Sequence, residues 1–512
     1  MQDSTNKRGL LLLVFLTCLT CVAGAVEVQV LAEEEVYAFV SPDNGSGPMW
    51  AYGSTEIARA DDRVFVCQME TGEGVPPLSN TRWRLLERRD AGWVAVAEAD
   101  RFVQREPCPL AVIGDTLFLS VNDSTQPPGT KYGNCEPHVL RFTFTDGEVA
   151  RAKLSPAWAK QHTFTDHSYR GFAADPPAGK VVLLNIDANT SEQNACLMTA
   201  DGETVGTASV SFPIRACYPQ VALRGNAVHV LAIGDIVEPI PEWRTYKFDQ
   251  TQSAWDYVFR ILYYTRTHDI AKSAFAAPLD IANVDATGGH ISNQDLWISP
   301  DGDAYILYTE REVASALLRD KFFPGKSIIA SLRLAIVSGG PAPEGPATDD
   351  MDNCDKTDKP DRSDRSDRSD RSDPSDPSDQ SDLSDKSDEA AAAAADAGAV
   401  IARRLLYPGD ENTQPGCARL HVAADGTLYA VLYVTGPDPG NKLLQVHPPV
   451  ENPPLIPIPA QAPLPSFCLA GVRAGNAPSN TIDLLGQVGN TLRYLQARIA
   501  PNSPAAAQAS RP

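Results

Sequence analysis

The chain alternates short apolar runs with turns rich in Gly, Asp and Asn, and long helical periodicity is nearly absent. Alternation of this kind is typical of β-strands joined by tight turns. Six stretches share one pattern, in which an apolar residue and a small residue precede a polar turn and an alternating apolar strand. They begin at Ser54, Pro107, Tyr169, Tyr218, Asp295 and Arg419, and a weaker seventh copy begins at Phe467.

The spacing of these hairpins indicates the architecture. Neighbouring copies begin about 50 to 75 residues apart, except across the step from Asp295 to Arg419, which contains a compositionally biased insertion. Each interval has room for about four short strands, as in a propeller blade. We therefore predict an all-β fold, a seven-bladed β-propeller, whose blades occupy residues 26–340 and 397–500.

The first alternating stretch, Val26 to Val40, precedes the first hairpin copy and needs a strand partner. Propellers often close by combining strands from the two ends of the chain in one blade, because closure removes free sheet edges. We expect this stretch to pair with Thr491 to Ile499 in the C-terminal blade.

The insertion, residues 341–396, is rich in Asp and Ser and ends in a run of alanines. Aspartate recurs at every third position from Asp352 to Asp388, with very few apolar side chains between. Such a segment cannot bury enough surface to offset the entropy of ordering, so we predict a long disordered acidic loop. We also expect residues 501–512 to form a disordered tail.

The N-terminus predicts export. Residues 1–25 combine a basic start, an apolar core and the small residues Ala23 and Ala25 of an A-x-A cleavage site, as in a secretory signal peptide. The sequence therefore predicts a secreted or periplasmic protein, and no later stretch is apolar enough to span a membrane. Eight cysteines remain after residue 25, and they could be disulfides or buried thiols.

Charge and motif content narrow the function. The formal net charge of −21 argues against a nucleic-acid partner, which requires a basic surface. No zinc spacing of cysteines, phosphate-binding glycine loop or catalytic-serine elbow is present, so we expect neither a metal nor a cofactor.

The candidate site comes from aligning the hairpins. The residues at the start of each innermost strand should form a ring at one mouth of the central channel, where polar side chains could meet a ligand. His167 and Tyr169 are the candidate catalytic pair. The candidate binding residues are Arg170, Tyr218, Gln220, Trp243, Arg244, His290, Asp295 and Arg419. A purely structural role for these positions, as strand starts that bond to neighbouring blades, is the alternative.

Trp243 and Arg244 come from a second cluster, Glu242 to Asp269, which is rich in aromatic and basic side chains. Such side chains suit sugar rings and carboxylates. Strict alternation from Trp255 to Tyr263 predicts one half-buried strand, whereas Trp243 and Arg244 lie in a predicted Pro-flanked loop.

The repeated hairpins, and "SPDGDAY" with Ser299, Asp301 and Tyr305, resemble the BNR or Asp-box repeats of the sialidase-like propellers, in particular secreted bacterial members. The resemblance covers Val26 to Ala500 and implies a propeller with structural Asp-box turns. The N-terminal Phe-Arg-Ile-Pro signature of sialidases is absent. "FPIR", ending at Arg215, has those letters in another order, so no catalytic residue is transferred from it.

Some related propeller polysaccharide lyases use His and Tyr to remove a proton from a uronate and protonate the leaving oxygen. "HSY", His167 to Tyr169, resembles their strand entrance. The expected function is recognition or processing of an extracellular polysaccharide or glycoconjugate at the channel mouth. An enzyme would be a glycoside hydrolase or a lyase acting on an acidic glycan, and a non-catalytic binding or scaffold propeller is the alternative.

Overall fold

The computed structural model describes residues 26–340 and 398–501, apart from positions 52, 131–132, 146 and 166–168. Four expectations therefore lie outside the described residues: the signal peptide, the acidic loop with its alanine run, the C-terminal tail and the position of His167. Within the described ranges the chain forms seven four-stranded antiparallel sheets, one for each predicted blade. The seven-bladed propeller is confirmed.

The N-terminal strand β1 (Val26–Ala38) does not belong to any of the first three blades, which follow it in chain order. Blade 1 contains β2 (Ile57–Ala60), β3 (Arg63–Thr71), β4 (Thr81–Arg89) and β5 (Gly92–Glu98). Blade 2 contains β6 (Leu110–Ile113), β7 (Thr116–Ser124), β8 (Cys135–Thr145) and β9 (Glu148–Leu154). Blade 3 contains β10 (Gly171–Asp175), β11 (Lys180–Ile186), β12 (Gln193–Thr199) and β13 (Thr204–Val210).

Blade 4 carries an excursion between its second and third strands. The blade contains β14 (Ala216–Arg224), β15 (Ala227–Gly234), β18 (Ile261–Thr267) and β19 (Leu279–Asn283). The excursion contains β16 (Ile236–Val237), helix α1 (Pro241–Thr251) and β17 (Tyr257–Val258), and β16 pairs with β17.

The last three blades complete the ring. Blade 5 contains β20 (His290–Ile298), β21 (Ala304–Arg311), β22 (Ser331–Val337) and β23 (Val400–Tyr407), with helix α2 (Ala316–Phe322) after its second strand. Blade 6 contains β24 (Pro415–Val422), β25 (Leu428–Val434), β26 (Gly440–His447) and β27 (Ile456–Pro457). Blade 7 contains β28 (Ser466–Leu469), β29 (Thr481–Val488), β30 (Thr491–Pro501) and β1.

Every predicted hairpin copy contributes the innermost strand of its blade and the strand paired with it. In the third copy, Phe172 and Ala173 are 1% and 0% exposed, as expected from their apolar and small positions. Their side chains belong to different clusters: Phe172 packs with Phe118 of blade 2, and Ala173 packs with Val221 of blade 4. Alternation along one short strand thus fills both interfaces between neighbouring blades.

The predicted strand from Trp255 to Tyr263 is wrong as a single element. Strand β17 ends at Val258 and β18 begins at Ile261, so Phe259 and Arg260 form a break. Trp255 lies before β17 and is 73% exposed, whereas Tyr263 belongs to β18 and is buried. The two strands pair with different partners, which ends the alternation predicted across the break.

The cysteines whose pairing the sequence left open include several buried thiols. Cys67, Cys108, Cys196, Cys217 and Cys468 are free and buried, and Cys417 is free and half-buried. Cys354 lies outside the described residues. Buried thiols pack as small apolar side chains, so these residues contribute to the blade interfaces.

The ring closes as predicted, through pairing of β1 with β30. The register runs antiparallel from Val26 opposite Pro501 to Ala38 opposite Thr491, with two irregularities along the way. On its other side β30 pairs with β29, so it is the interior strand that joins the N-terminal strand to blade 7. Val28 of β1 packs with Ile482 and Leu495 in one apolar cluster.

Truncation after Asn490 should abolish cooperative folding, because it removes β30 and leaves both β1 and β29 without their shared partner. The measurement is urea unfolding followed by circular dichroism. A control truncation after Pro501 retains β30 and should unfold as the full chain does. A normal cooperative transition in the shorter variant would refute closure through this strand.

Candidate functional site

Two tyrosines occupy matching positions where innermost strands of neighbouring blades begin. We call this side of the propeller the entrance face. Tyr169 lies two residues before β10, and Tyr218 lies in a bulge of β14. Their rings meet edge to face with centroids 4.8 Å apart. Both backbones are left-handed, with φ of 38° and 51°. Non-glycine residues adopt this conformation at a cost that the surrounding structure must offset, and such strain concentrates at functional sites.

A third side chain joins the tyrosines from the connection before β14. The guanidinium of Arg215 lies 5.8 Å from the ring centre of Tyr169 and 5.7 Å from that of Tyr257. Asp235 is its ion-pair partner, with a nitrogen to oxygen distance of 3.4 Å. The Arg215 side chain is 27% exposed, whereas that of Asp235 is 3% exposed. The buried carboxylate therefore holds a guanidinium that still reaches solvent. We call Tyr169, Arg215, Tyr218, Asp235 and Tyr257 the entrance cluster.

Tyr257 is held in place by an ion network around the blade 4 excursion. Lys247 of α1 contacts Asp256, beside Tyr257, at 2.5 Å and Glu238 at 2.8 Å. Arg260 contacts the same Glu238 carboxylate at 2.5 Å. Burial works against the ionisation of Glu238, but its hydrogen bonds from Arg260 and Lys247 prevail and lower its pKa. The network fixes α1 and β17 over the entrance face.

The electrostatics of the cluster keep Tyr169 protonated. Burial, with Cys217 and Asp235 nearby, raises the pKa of Tyr169 above its ordinary value. A phenol in this state is protonated and donates hydrogen bonds at neutral pH, rather than acting as a base. Burial also raises the pKa of Cys217, although Arg215 opposes that shift, so the adjacent thiol remains a protonated, weak nucleophile.

His290 lies on the entrance face but apart from Tyr169. Its ring contacts Phe259 edge-on at 5.9 Å, and Phe259 in turn contacts Tyr218 at 5.7 Å. Burial lowers the pKa of His290 to about 4, assisted by Arg311 and Arg260. The imidazole is therefore neutral at pH 7, and its Nε2 lies 3.1 Å from the Ser292 hydroxyl. The aromatic side chains form a continuous wall between His290 and Tyr169.

Two predicted binding residues bond instead to the backbone of other blades. Arg170 is 5% exposed and donates to the carbonyls of Ser120, Glu106 and Pro107. Gln220 is 1% exposed, and its amide donates to the Asn293 carbonyl at 3.2 Å. These contacts fit the structural alternative for the two residues, because burial leaves little of either side chain for a ligand.

Asp295 and Arg419 lie deeper, at the propeller axis. Asp295 accepts hydrogen bonds from the backbone of Leu420 and from Arg473, both at 2.8 Å. Arg419 donates to the carbonyls of Gln294 and Ala418, both at 2.8 Å. Arg473, in the 3₁₀ turn Val472–Ala474 of blade 7, was not predicted.

The guanidinium of Arg473 also donates to the Gly53 carbonyl before blade 1 and to the Val221 carbonyl of blade 4. It therefore contacts the walls on opposite sides of the axis.

The prediction that Trp243 and Arg244 lie in a Pro-flanked loop is wrong. Trp243 lies in helix α1 rather than in a loop, because Pro241 begins the helix and fixes the backbone of its first turn. The indole is 9% exposed and packs against Phe323 at 5.2 Å and under the Arg260 guanidinium at 5.0 Å. Arg244 is on the exposed side of the same helix, as expected of a surface residue.

The predicted pairing of His167 with Tyr169 remains a prediction, because His167 lies outside the described residues. The sequence also missed Arg215 and Asp235, although one signal could have identified Arg215. It is a charged residue directly before an innermost strand, which is the position that defined the other candidates.

A larger cleft of about 890 Å³ lies on the opposite side, where the innermost strands end. Trp297, Arg224, Pro300 and Arg473 line part of it. Its polar groups are largely paired, as Arg59 is to Asp483 at 2.6 Å. Arg224 bonds to the carbonyls of Ser299 and Pro300. The sequence predicted no site here.

Two further features bear on function. In the described ranges, no group of three or more His, Cys, Asp or Glu side chains is arranged to hold a metal ion. The helices of this part of the chain are all too short or too polar to cross a membrane.

Comparisons with known proteins identify similar folds. No protein-family model and no curated protein sequence matches the chain. It is similar to a polysaccharide lyase of the PL25 ulvan lyase family, with 9% identity, a TM-score of 0.46 and coverage of 94% of this chain and 100% of that one. It is also similar to the polysaccharide lyase Uly1, with 9% identity, a TM-score of 0.44 and coverage of 88% and 90%.

The sialidase of Trypanosoma rangeli has 9% identity and a TM-score of 0.35, with coverage of 82% of this chain and 60% of that one. At this level of identity these likenesses concern the propeller fold alone.

A buried carboxyl close to the axis generates a pH prediction. Glu56 is 1% exposed and accepts a hydrogen bond from the Cys468 thiol at 3.0 Å. Burial raises its pKa from 4.5 to about 7, although Cys468 and the charges of Arg419 and Arg170 oppose the shift. Folding therefore carries no ionisation penalty below pH 4.5, acquires one between pH 4.5 and 7, and retains it above pH 7.

Glu56→Gln should leave the free energy of unfolding nearly unchanged at pH 4 and raise it by up to about 3 kcal/mol at pH 8, because the amide needs no proton. Urea unfolding at both pH values measures the difference. Glu148→Gln, at an exposed strand end, is the control and should show no such dependence. An equal effect of Glu56→Gln at both pH values would contradict the shifted pKa.

Proposed function

We propose that this protein is an exported propeller of the BNR-repeat, sialidase-like kind that recognises an acidic extracellular carbohydrate at the entrance cluster. The observation that carries the proposal is the partly exposed Arg215 guanidinium, held by buried Asp235 between the rings of Tyr169 and Tyr257. Export rests on the signal-like sequence of residues 1–25.

The chemistry of the cluster matches that of a uronate. Guanidinium groups bind carboxylates through charge-assisted, often bidentate hydrogen bonds. Aromatic side chains offer apolar surface to sugar rings, and tyrosine hydroxyls add hydrogen bonds to sugar hydroxyls. Asp235 and the neighbouring rings restrict the Arg215 side chain before any ligand binds, which lowers the entropy lost on binding.

Arg215→Gln should weaken binding of uronate polysaccharides by about 10-fold to 100-fold, because a hydrogen bond to a charged group contributes about 1.5–3 kcal/mol. Isothermal titration against alginate, polygalacturonate and chondroitin, with neutral dextran as a reference, measures the change. Arg244→Gln, on the exposed side of α1, is the matched control and should bind as the native protein does. Equal binding by Arg215→Gln and the native protein would exclude Arg215 as the carboxylate partner.

A second function, uronate lyase, is supported by the position of Tyr169 beside the Arg215 guanidinium. In such a reaction a base removes the proton on the carbon beside the carboxylate, and the bond to the leaving oxygen breaks. A carbon–carbon double bond forms, and an acid protonates the leaving oxygen. Tyr169 would be the acid, because its phenol carries a proton at neutral pH and lies beside the guanidinium that would hold the carboxylate. His167, two residues earlier, would be the base, since neutral histidine accepts a proton near pH 7.

Tyr169→Phe and His167→Ala should each reduce formation of unsaturated sugar ends by about 10²–10⁴-fold, the usual contribution of a general acid or base. The melting temperature should change little for Tyr169→Phe, because the ring contact with Tyr218 is retained. Ultraviolet absorbance of the unsaturated product measures the rate. If the native protein binds uronates but releases no unsaturated ends, the lyase function is excluded and recognition alone remains.

A further inference from the structure

The propeller axis contains a small cavity between the innermost strands. Its volume is about 30 Å³, and Thr55, Asp295, Arg419, Cys468 and Arg473 are among the residues that line it. A space of this size holds one water molecule or one small ion. It lies where Arg473 crosses the channel, away from the exposed part of the entrance cluster.

Two guanidinium groups at this cavity have unused donors. The terminal nitrogens of Arg473 bond to Gly53, Val221 and Asp295, and Nη1 of Arg419 bonds to Gln294 and Ala418. The Nε atoms of both arginines are buried and have no hydrogen-bond partner among the described residues. A buried N–H without an acceptor is unfavourable, and more so when it is charged. Both donors therefore require an acceptor that the described side chains do not supply.

The charges around the cavity are unbalanced. Of the described residues that line it, Asp295 alone carries a carboxylate, and that carboxylate already accepts from Arg473, Leu296 and Leu420. Two guanidinium groups, whose Nε atoms are buried, thus face one carboxylate at this cavity. Glu56 lies close to Arg419 but does not line the cavity, and its carboxyl accepts a hydrogen bond from the Cys468 thiol. Buried charge without a partner is strongly unfavourable.

We propose that this cavity binds one halide ion, chloride under physiological conditions, between Arg419 Nε and Arg473 Nε. A halide accepts both N–H groups and balances the second guanidinium charge, whereas a water molecule supplies an acceptor and no charge. The two guanidinium groups disfavour a cation at this position. The ion would link Arg419 of blade 6 to Arg473 of blade 7. This site does not depend on the proposed carbohydrate function.

Crystals of the native full-length protein grown in sodium bromide test the proposal directly. Anomalous diffraction should show one bromide peak in the cavity, within hydrogen-bond distance of both Nε atoms. A well-ordered cavity with a water molecule, or with no density, under the same conditions would overturn the proposal. This experiment needs no variant, so it remains decisive if substitution of a buried arginine prevents folding.

Thermal unfolding supplies a second, solution test. Replacing sodium gluconate with sodium chloride at constant ionic strength should raise the melting temperature of the native protein by about 2 °C, in a saturable manner. Arg419→Gln and Arg473→Gln should remove the halide-dependent part, and Arg244→Gln should retain it. An identical chloride response in the native protein and a folded Arg419→Gln variant would contradict a specific site.

Discussion

The structure depends on one constraint, which is that a ring of antiparallel sheets must close. Strand β30 meets that constraint by pairing with β29 on one side and with β1, from the other end of the chain, on the other. Each blade packs only against its two neighbours, so a gap at one position would expose two apolar faces and an open sheet edge. Closure places all seven innermost strands around a common axis. The entrance cluster and the axial cavity exist only because those strands converge there.

The convergence of the innermost strands brings polar backbone groups into a confined space. A few side chains satisfy these groups through hydrogen bonds between blades. Arg170 bonds to carbonyls of blade 2 and the connection before it, and Arg473 reaches blade 4, blade 5 and the segment before blade 1. Each guanidinium satisfies several backbone carbonyls that the ends of innermost strands leave exposed. The same arrangement places two guanidinium groups, those of Arg419 and Arg473, around one small cavity at the axis. The charge of Arg419 opposes the rise in the pKa of Glu56. The two unused Nε donors support the proposed anion site.

The entrance face differs from the axis, because its guanidinium is held in position and still reaches solvent. Tyr169 and Tyr218 both have left-handed backbones, a conformation that is unfavourable for residues other than glycine. Arg215 remains partly exposed although its partner Asp235 is buried. The blade 4 excursion adds Tyr257 through an ion network that fixes α1 and β17. A restrained cation bounded by aromatic rings is an arrangement that blade packing alone does not require, so it is the best candidate for a ligand contact.

The sequence by itself determined the hairpins, their number and the closing pair of strands, because alternation and turn residues act within a few positions of each other. It also located Tyr169 and Tyr218 at matching strand starts. It did not reveal Arg215 above Tyr169, or Arg473 at Asp295, a residue 178 positions away in the chain. It misplaced Trp243, whose aromatic neighbours concealed the helix that begins at Pro241. Which side chains meet at the axis or at the mouth depends on how seven blades rotate against one another. No local pattern specifies that geometry, so only the tertiary structure could decide it.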